Sequence, residues 1–184
     1  MPDWDTKYAS GAYVSSKNPG KLLIDLFPLL PKGKALDIAC GEGRNAVFLA
    51  KNGYDVDAVD ISGMAIERGR EAAAQQGVKV NFIQADLENY RISEEGYDLI
   101  VNFNYLQRTL VPSIKGGLKR GGVVVFETFT LGQQAIGHPK NPEFLLKPNE
   151  LLKLFEGLHI FFYREGIFEE ERKKAIASLA GKRA

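Results

Sequence analysis

The chain has 184 residues, close to one domain at roughly 150 residues per domain and too short for two large ones. Its 24 Lys and Arg against 23 Asp and Glu give a formal charge of +1, and 45% apolar with 26% charged residues exclude a disordered chain. That balance lacks the concentrated basic face with which a dedicated nucleic-acid binder exploits phosphate attraction, so no nucleic-acid partner is expected. Cys40 stands alone, which excludes an internal disulfide, and with only His138 and His159 beside it no structural zinc spacing exists, so no metal site is expected. A soluble protein of the reducing cytoplasm is the expectation, since the polar N-terminal arm is no secretory signal and no apolar run reaches the ~20 residues of a spanning helix.

Along the chain, Asn18-Pro19 precedes the apolar run Lys21 to Phe27 and predicts a helix, stopped by Pro28 and Pro31. Lys34 to Ala39 reads as a buried strand, followed at once by Cys40-Gly41-Glu42-Gly43 and a helix over Asn45 to Ala50. Asn52-Gly53 closes that helix; Tyr54 to Asp60 is a second strand, and a helix capped by Ser62 runs to about Gln76-Gly77. Strands over Lys79 to Ile83, Tyr97 to Phe103 and Val123 to Glu127 follow, with a helical stretch between Pro112 and Leu118. Strands separated by helical crossovers predict an α/β Rossmann-like sheet, doubly wound and mostly parallel, with helices on both faces. Leu131 to Lys147 reads as a long irregular loop, then come a helix from Asn149 to Phe155 and a strand over His159 to Tyr163. The charged run Glu169 to Lys174 has high helix propensity, but no space remains for another crossover, so a final antiparallel strand is expected near Ala175 to Ala180. The single domain divides into an arm and helix (1–33), a core (34–129), a loop (130–147) and a closing helix with strands (148–184).

Gly41-Glu42-Gly43-Arg44-Asn45-Ala46 fits G-x-G-x-x-A, whose glycines permit a tight turn and close approach of a ligand to a helix N-terminus. Glycine pairs also occur in plain turns, so the pattern needs company. Asp37 lies four residues before Gly41, Asp60 ends the second strand, and Asp86 follows the third. Each acid therefore falls where a parallel strand ends, at the edge that lines the ligand crevice. Asp60 stands where it can accept both hydroxyls of a ribose, and Asp86 where it can accept an adenine amino group. A pyrophosphate at the turn would be repelled by Asp37, whereas S-adenosylmethionine brings a sulfonium and an ammonium and no phosphate.

Leu36-Asp37-Ile38-Ala39-Cys40-Gly41-Glu42-Gly43-Arg44-Asn45, with Asp60 and Ala85-Asp86-Leu87, resembles the class I S-adenosylmethionine-dependent methyltransferases. Asp98 to Asn102 and Lys119-Arg120-Gly121-Gly122 resemble that family's fourth strand and the turn before its fifth, so the likeness spans residues 34–129. The Cys-Gly-Glu-Gly-Arg-Asn form and Trp4-Asp5-x-x-Tyr8 resemble the subgroup of tellurite-resistance and related small-molecule methyltransferases. The resemblance implies seven strands with the last antiparallel. It also implies that Asp37, Gly41 and Gly43 surround the methionine part, that Asp60 binds the ribose, that Asp86 and Leu87 border the adenine, and that Asn102 lies near the sulfonium. Arg44, Asn45 and Ile61 are counted with these as neighbours of the turn and of the ribose acid.

Methyl transfer from a sulfonium is an in-line displacement accelerated mainly by alignment, and a proton on the acceptor can be taken by a carboxylate or histidine. Glu127 and His138 are the candidates, with Arg108 and Lys140 suited to an anionic acceptor. Trp4 and Tyr8 are candidates for an aromatic lid over the cofactor, and Cys40 reads as packing beside the turn. Asn102-Phe103-Asn104-Tyr105 lacks the prolines of the Asn-Pro-Pro-Tyr of amino-directed enzymes, so a small-molecule acceptor, an oxyanion such as tellurite or a thiol or amine, is expected. An NAD(P)-dependent oxidoreductase and a cofactor-holding module without transfer remain the alternative readings.

Overall fold

The computed structural model describes residues 4–10, 16–169 and 172–184; residues 1–3 and 11–15 of the arm, and Glu170 and Glu171 of the charged run, lie outside the described residues. Helix α1 (Trp4–Ala9) and α2 (Lys21–Leu26) precede the alternating core of β1 (Lys34–Ile38), α3 (Arg44–Lys51), β2 (Asp55–Asp60), α4 (Gly63–Gln75), β3 (Asn81–Gln84) and β4 (Tyr97–Phe103). Then come α5 (Val111–Gly117), β5 (Leu118–Phe129), α6 (Glu150–Leu154), β6 (His159–Glu169) and β7 (Lys173–Lys182). The strands form one seven-stranded sheet in the order β3-β2-β1-β4-β5-β7-β6. Pairing is parallel from β3 to β5, and β7 enters between β5 and β6 antiparallel to both.

Buried parallel strands carry apolar residues on both faces, and each face here has its own helices. Ala35, Val56, Ala58, Leu99, Val101, Val123 and Val125 share one cluster with Leu22, Leu23 and Leu26 of α2, Leu49 of α3 and Ile66 of α4. Leu36, Ile38, Val59, Ile100, Val124 and Phe126 share the other with Ile114 of α5, Leu151 of α6 and Phe155. The alternation of the two sets fixes the face of every residue at the strand ends: Asp37, Asp60, Phe103 and Glu127 belong to the α2, α3 and α4 face, and Asn102 and Thr128 to the other.

Several boundaries differ from the sequence expectation, each for a tertiary reason. Helix α2 starts at Lys21 rather than at an Asn18 cap, because the Asn18 carbonyl accepts from Arg44 and the Gly20 N–H donates to Asn45 Oδ1. Strand β5 begins at Leu118, five residues early, pairing Leu118 with Tyr97 across a bulge. Strand β6 continues to Glu169 because β7 pairs along its length, and that ladder overrides the helix propensity of the tail. The loop after β5 holds two short 3-10 turns, Leu131–Ala135 and Pro142–Phe144, and is fastened by buried Gln133, whose Oε1 accepts from Ala175 N–H while its Nε2 donates to the His138 carbonyl.

Phe155 is fully buried with its ring centroid 5.2 Å from that of Phe126. Phe155→Ala should therefore cost roughly 3–5 kcal/mol, read as a lowered midpoint in chemical denaturation; a cost below about 1 kcal/mol would show that this face does not depend on the ring.

Candidate functional site

Parallel strands end on a common edge, and the loops leaving β1, β2, β3, β4 and β5 meet there. At the end of β1 the backbone turns through Ala39 at φ +51°, Gly41 at +55° and Gly43 at +75° before entering α3. A non-glycine residue in the left-handed region is uncommon, and Asn104, just past β4, is another at φ +61°, so both central strand ends carry an enforced bend. The turn is held by Asp60: its Oδ2 accepts from Gly41 N–H at 2.7 Å and its Oδ1 from Ser62 N–H at 2.9 Å. With the Ile61 backbone bond as a third, the carboxylate keeps acceptor capacity for a hydroxyl.

The two glycines have different reasons for being glycine. A Cβ on Gly41 would lie 2.8 Å from the Tyr8 hydroxyl, so this face is the open approach to the turn, covered here by α1. A Cβ on Gly43 would lie 2.6 Å from the Phe82 ring, so this residue serves packing of α3 against β3.

Asp37 is 1% exposed, and its Oδ2 accepts from Ala46 N–H at 3.0 Å in the first turn of α3. Burial pushes its pKa up to about 7, against the opposing pull of the Arg44 charge and the Ala46 bond, with nearby Asp60 raising it further. Burial also raises Asp60, opposed by its backbone bonds from Ser62, Gly41 and Ile61. Two carboxyl groups that are costly to ionise together define a place where a cation gains and a phosphate loses.

Above the turn, α1 is fastened by polar contacts to α4 and the turn. Asp5 Oδ1 accepts from Ser62 Oγ at 2.5 Å and from Met64 N–H at 3.1 Å, adding an acceptor to the N-terminus of α4 that Ser62 already caps through Ala65 N–H. Arg68 of α4 donates to the Tyr8 carbonyl at 3.2 Å and pairs with Glu42 of the turn at 3.0 Å. Tyr8 is buried with its hydroxyl against Gly41 of the turn, and the Trp4 ring centroid sits 6.3 Å from that of Tyr8.

On the far side of the turn, Asp86 Oδ1 accepts from Glu88 N–H and shapes the loop after β3, with Leu87 buried beside it and Ile61 36% exposed at the rim. Burial raises the Tyr105 phenol to about 12, helped by the charges of Asp86, Glu88 and Asp60, which places this ring in the same acidic neighbourhood. Asn102 is 1% exposed; its Nδ2 donates to the Tyr105 carbonyl at 2.8 Å, which leaves Oδ1 as a buried acceptor with no donor. Thr128 Oγ1, at the end of neighbouring β5, is likewise unpartnered. Among the described residues these are two of the three buried side-chain atoms without a partner, and both sit at the carboxyl edge, where a ligand would supply the missing bonds.

The remaining sequence candidates divide. Asn45, expected beside the cofactor, has its Oδ1 committed to Gly20 N–H at 2.8 Å and anchors the entry to α2; Arg44 holds the Asn18 carbonyl at 3.1 Å while its charge acts on Asp37. Arg108, expected to attract an anionic acceptor, instead forms a brace: Nε and Nη2 bind the Glu150 carboxylate, and Nη1 and Nη2 bind the Glu143 and Leu145 carbonyls. His138 is exposed in the loop and engages Gln133 through its carbonyl. Glu127 is 3% exposed, with Oε2 accepting from Ser178 Oγ at 2.7 Å and from Arg164 Nη2 at 3.2 Å. Asp5, Arg68, Tyr105, Arg164 and Ser178 are not among the sequence candidates; only the Asp5 pattern beside Tyr8 and the Asn102 to Tyr105 segment carried any signal.

Residues 35–122 match the family model described as methyltransferase domain. The probable S-adenosyl-L-methionine-dependent methyltransferase TehB of Haemophilus influenzae is 27% identical over 169 residues, covering 88% of this chain and 58% of the relative. A ubiquinone biosynthesis O-methyltransferase of Rickettsia felis is 28% identical over 111 residues, covering 58% of this chain and 45% of the relative. The chain thus spans about half the length of these relatives. Among solved structures, TehB of H. influenzae superposes with a TM-score of 0.79 at 22% identity, over 97% of this chain and 66% of that one. A methyltransferase structure from Methanosarcina mazei gives 0.71 at 18% identity, over 90% of this chain and 98% of that one. In sequence and fold the chain resembles the class I S-adenosylmethionine-dependent methyltransferases, TehB among them, and the cofactor of that class is S-adenosylmethionine.

The residues present fit that group. A cationic ligand would meet Asp37 and Asp60, a ribose hydroxyl would find the acceptor capacity left on Asp60, and an N–H donor would satisfy Asn102 Oδ1. Ionised Asp37 attracts the cation and protonated Asp37 does not, so cofactor affinity should rise as pH climbs through about 7, with proton release on binding. Calorimetry at pH 6 and pH 8 in buffers of different ionisation enthalpy measures both, and Asp37→Asn should flatten the dependence. The same shift makes the ligand-free fold lose stability as pH rises between about 4 and 7, because the folded Asp37 holds its proton where the unfolded one has released it.

Proposed function

We propose that this chain is a methyltransferase that moves the methyl group of S-adenosylmethionine to a small-molecule acceptor. The observation that carries the reading is the glycine turn bounded by buried Asp37 and Asp60, a negatively lined cradle suited to a phosphate-free cation and hostile to a pyrophosphate. When bound, the cofactor supplies an electrophilic methyl carbon on a positively charged sulfur. The protein's own work is positional: Asp60 orients the ribose side, Asp37 and the Gly41 backbone hold the methionine side, Asp86 and Leu87 border the base, and Tyr8 and Trp4 close over the turn to exclude water.

Residues 34–129 form the cofactor core, and the acceptor enters from the side of β5 and the 130–147 loop. Glu127 is the acid–base group of this side, anchored by Ser178 and Arg164. His138, exposed in the same loop, is a second acceptor-side candidate. Arg108 contributes indirectly by bracing that loop to Glu150. The reading places the enzyme in the cytoplasm, in keeping with the lone Cys40 and with a fold in which no described helix is long and apolar enough to cross a membrane.

Calorimetry tests the reading directly. S-adenosylmethionine and its demethylated product should bind at micromolar levels, NADH should not, and Asp60→Ala should weaken binding by tenfold or more, about 1.4 kcal/mol. NADH binding that survives Asp37→Ala would instead favour an oxidoreductase, and cofactor binding with no transfer of labelled methyl to any oxyanion, thiol or amine would leave a binding module.

A further inference from the structure

We infer that the acceptor is an uncharged thiol or hydroxyl that hands its proton to Glu127, and that Ser178 and Arg164 are the residues that position this base. The inference rests on the methyl-transfer reading and adds the chemical class of the acceptor.

Pairing registers place Glu127 beside Ser178, and Ser178 beside Arg164, so three side chains from β5, β7 and β6 form one rung on the face that carries Asp37 and Asp60. Asp37 lies two strands away on β1, roughly 10–12 Å by sheet spacing and rise, with Phe103 of β4 on the same face between them. Within the rung the bonds to the Glu127 carboxylate from Ser178 and Arg164 both fall on Oε2, and no described residue donates to Oε1. Arg164 is committed on several sides, through Nη2 to Glu127, through Nε to Ser178 Oγ at 3.2 Å, and with its guanidinium 4.5 Å from the Phe168 ring centroid. The charged groups of α2, the other element on this face of β5, are Lys21 and Asp25, exposed and paired with each other at 2.7 Å.

The oxygen presented to an acceptor is therefore a bare carboxylate oxygen whose countercharge is already engaged. An anion beside it is repelled, and Arg108, one of the two cations suited to an anion, is held by Glu150. An X–H group donates to it. In the step, the X–H bond gives its proton to Glu127 Oε1 as the X lone pair bonds to the methyl carbon; the carbon–sulfur bond breaks with its electron pair remaining on sulfur. Glu127 ends neutral, sulfur ends as a thioether and X ends methylated, so charge and atoms balance. Ser178 and Arg164 fix the direction of Oε1 through Oε2 without touching the acceptor.

The test offers the full chain, with methyl-labelled S-adenosylmethionine, thiophenol, 2-mercaptoethanol and catechol beside selenite and tellurite. Label is expected on the neutral probes. Glu127→Gln should lower that transfer by about 10²-fold or more, with the larger loss on the less acidic thiol, because an acceptor that ionises by itself needs the base least. Ser178→Ala should lower kcat about tenfold while the cofactor Kd, read by calorimetry, stays within about twofold in both variants, which also reports that they fold. Label confined to the oxyanions, absence of label on every neutral probe while the cofactor binds, or an equal loss on both thiols overturns the inference. Failure of the cofactor to bind at all is a separate readout and overturns the methyl-transfer reading beneath it.

Discussion

The bonds from Gly41 N–H and Ser62 N–H to the two oxygens of Asp60 join the turn after β1 to the start of α4, and the rest of the site takes its position from that junction. A carboxylate buried at 8% exposure is tolerated there because backbone donors replace the water it has lost. Those donors set where the turn stands, the turn sets the axis of α3, and α3 carries the Ala46 N–H that reaches back to Asp37. One acid thereby organises the backbone that disposes the other, and both remain sensitive to the charge of whatever enters.

The same economy of donors appears where α1 covers the turn. Asp5 shares the first turn of α4 with Ser62, and Arg68 of that helix returns to Tyr8 and Glu42. The cover is thus tied by polar contacts, each worth on the order of 1 kcal/mol, beside the buried Tyr8 ring. Contacts of that kind hold a segment in register while leaving its release inexpensive relative to core opening.

Much of the architecture could be read from local pattern. The alternation of apolar runs with helix starts implied the parallel sheet, and from that sheet it followed that Asp37, Asp60 and Asp86 share an edge. Motif membership proved a poorer guide to individual roles. Gly43 is a glycine for the sake of Phe82, and Asn45 turns toward Gly20, because the same turn that faces a ligand must also pack against its own domain. What local pattern could not disclose were the cross-strand partnerships. Arg108 meets Glu150 42 positions later, Glu127 meets Ser178 51 positions later, and Asp5 meets Ser62 57 positions later. Charge signs along the chain suggest many such pairs, and only the register of the folded sheet selects among them. The acidic and basic tail resolved in the same way, as ladder bonding outweighed its helical preference.

Placing β7 between β5 and β6 has a consequence for how the molecule comes into being. A growing polypeptide that has produced β6 has nowhere to dock it, since its only neighbour has still to emerge. Until then Glu127 lacks the hydroxyl and the guanidinium that it meets in the finished sheet. The half that carries Asp37 and Asp60 can mature early, from nearby contacts, whereas the rung around Glu127 waits on long-range closure. The sheet is therefore completed in two stages, and the later stage is the one exposed to edge-to-edge mispairing with other chains.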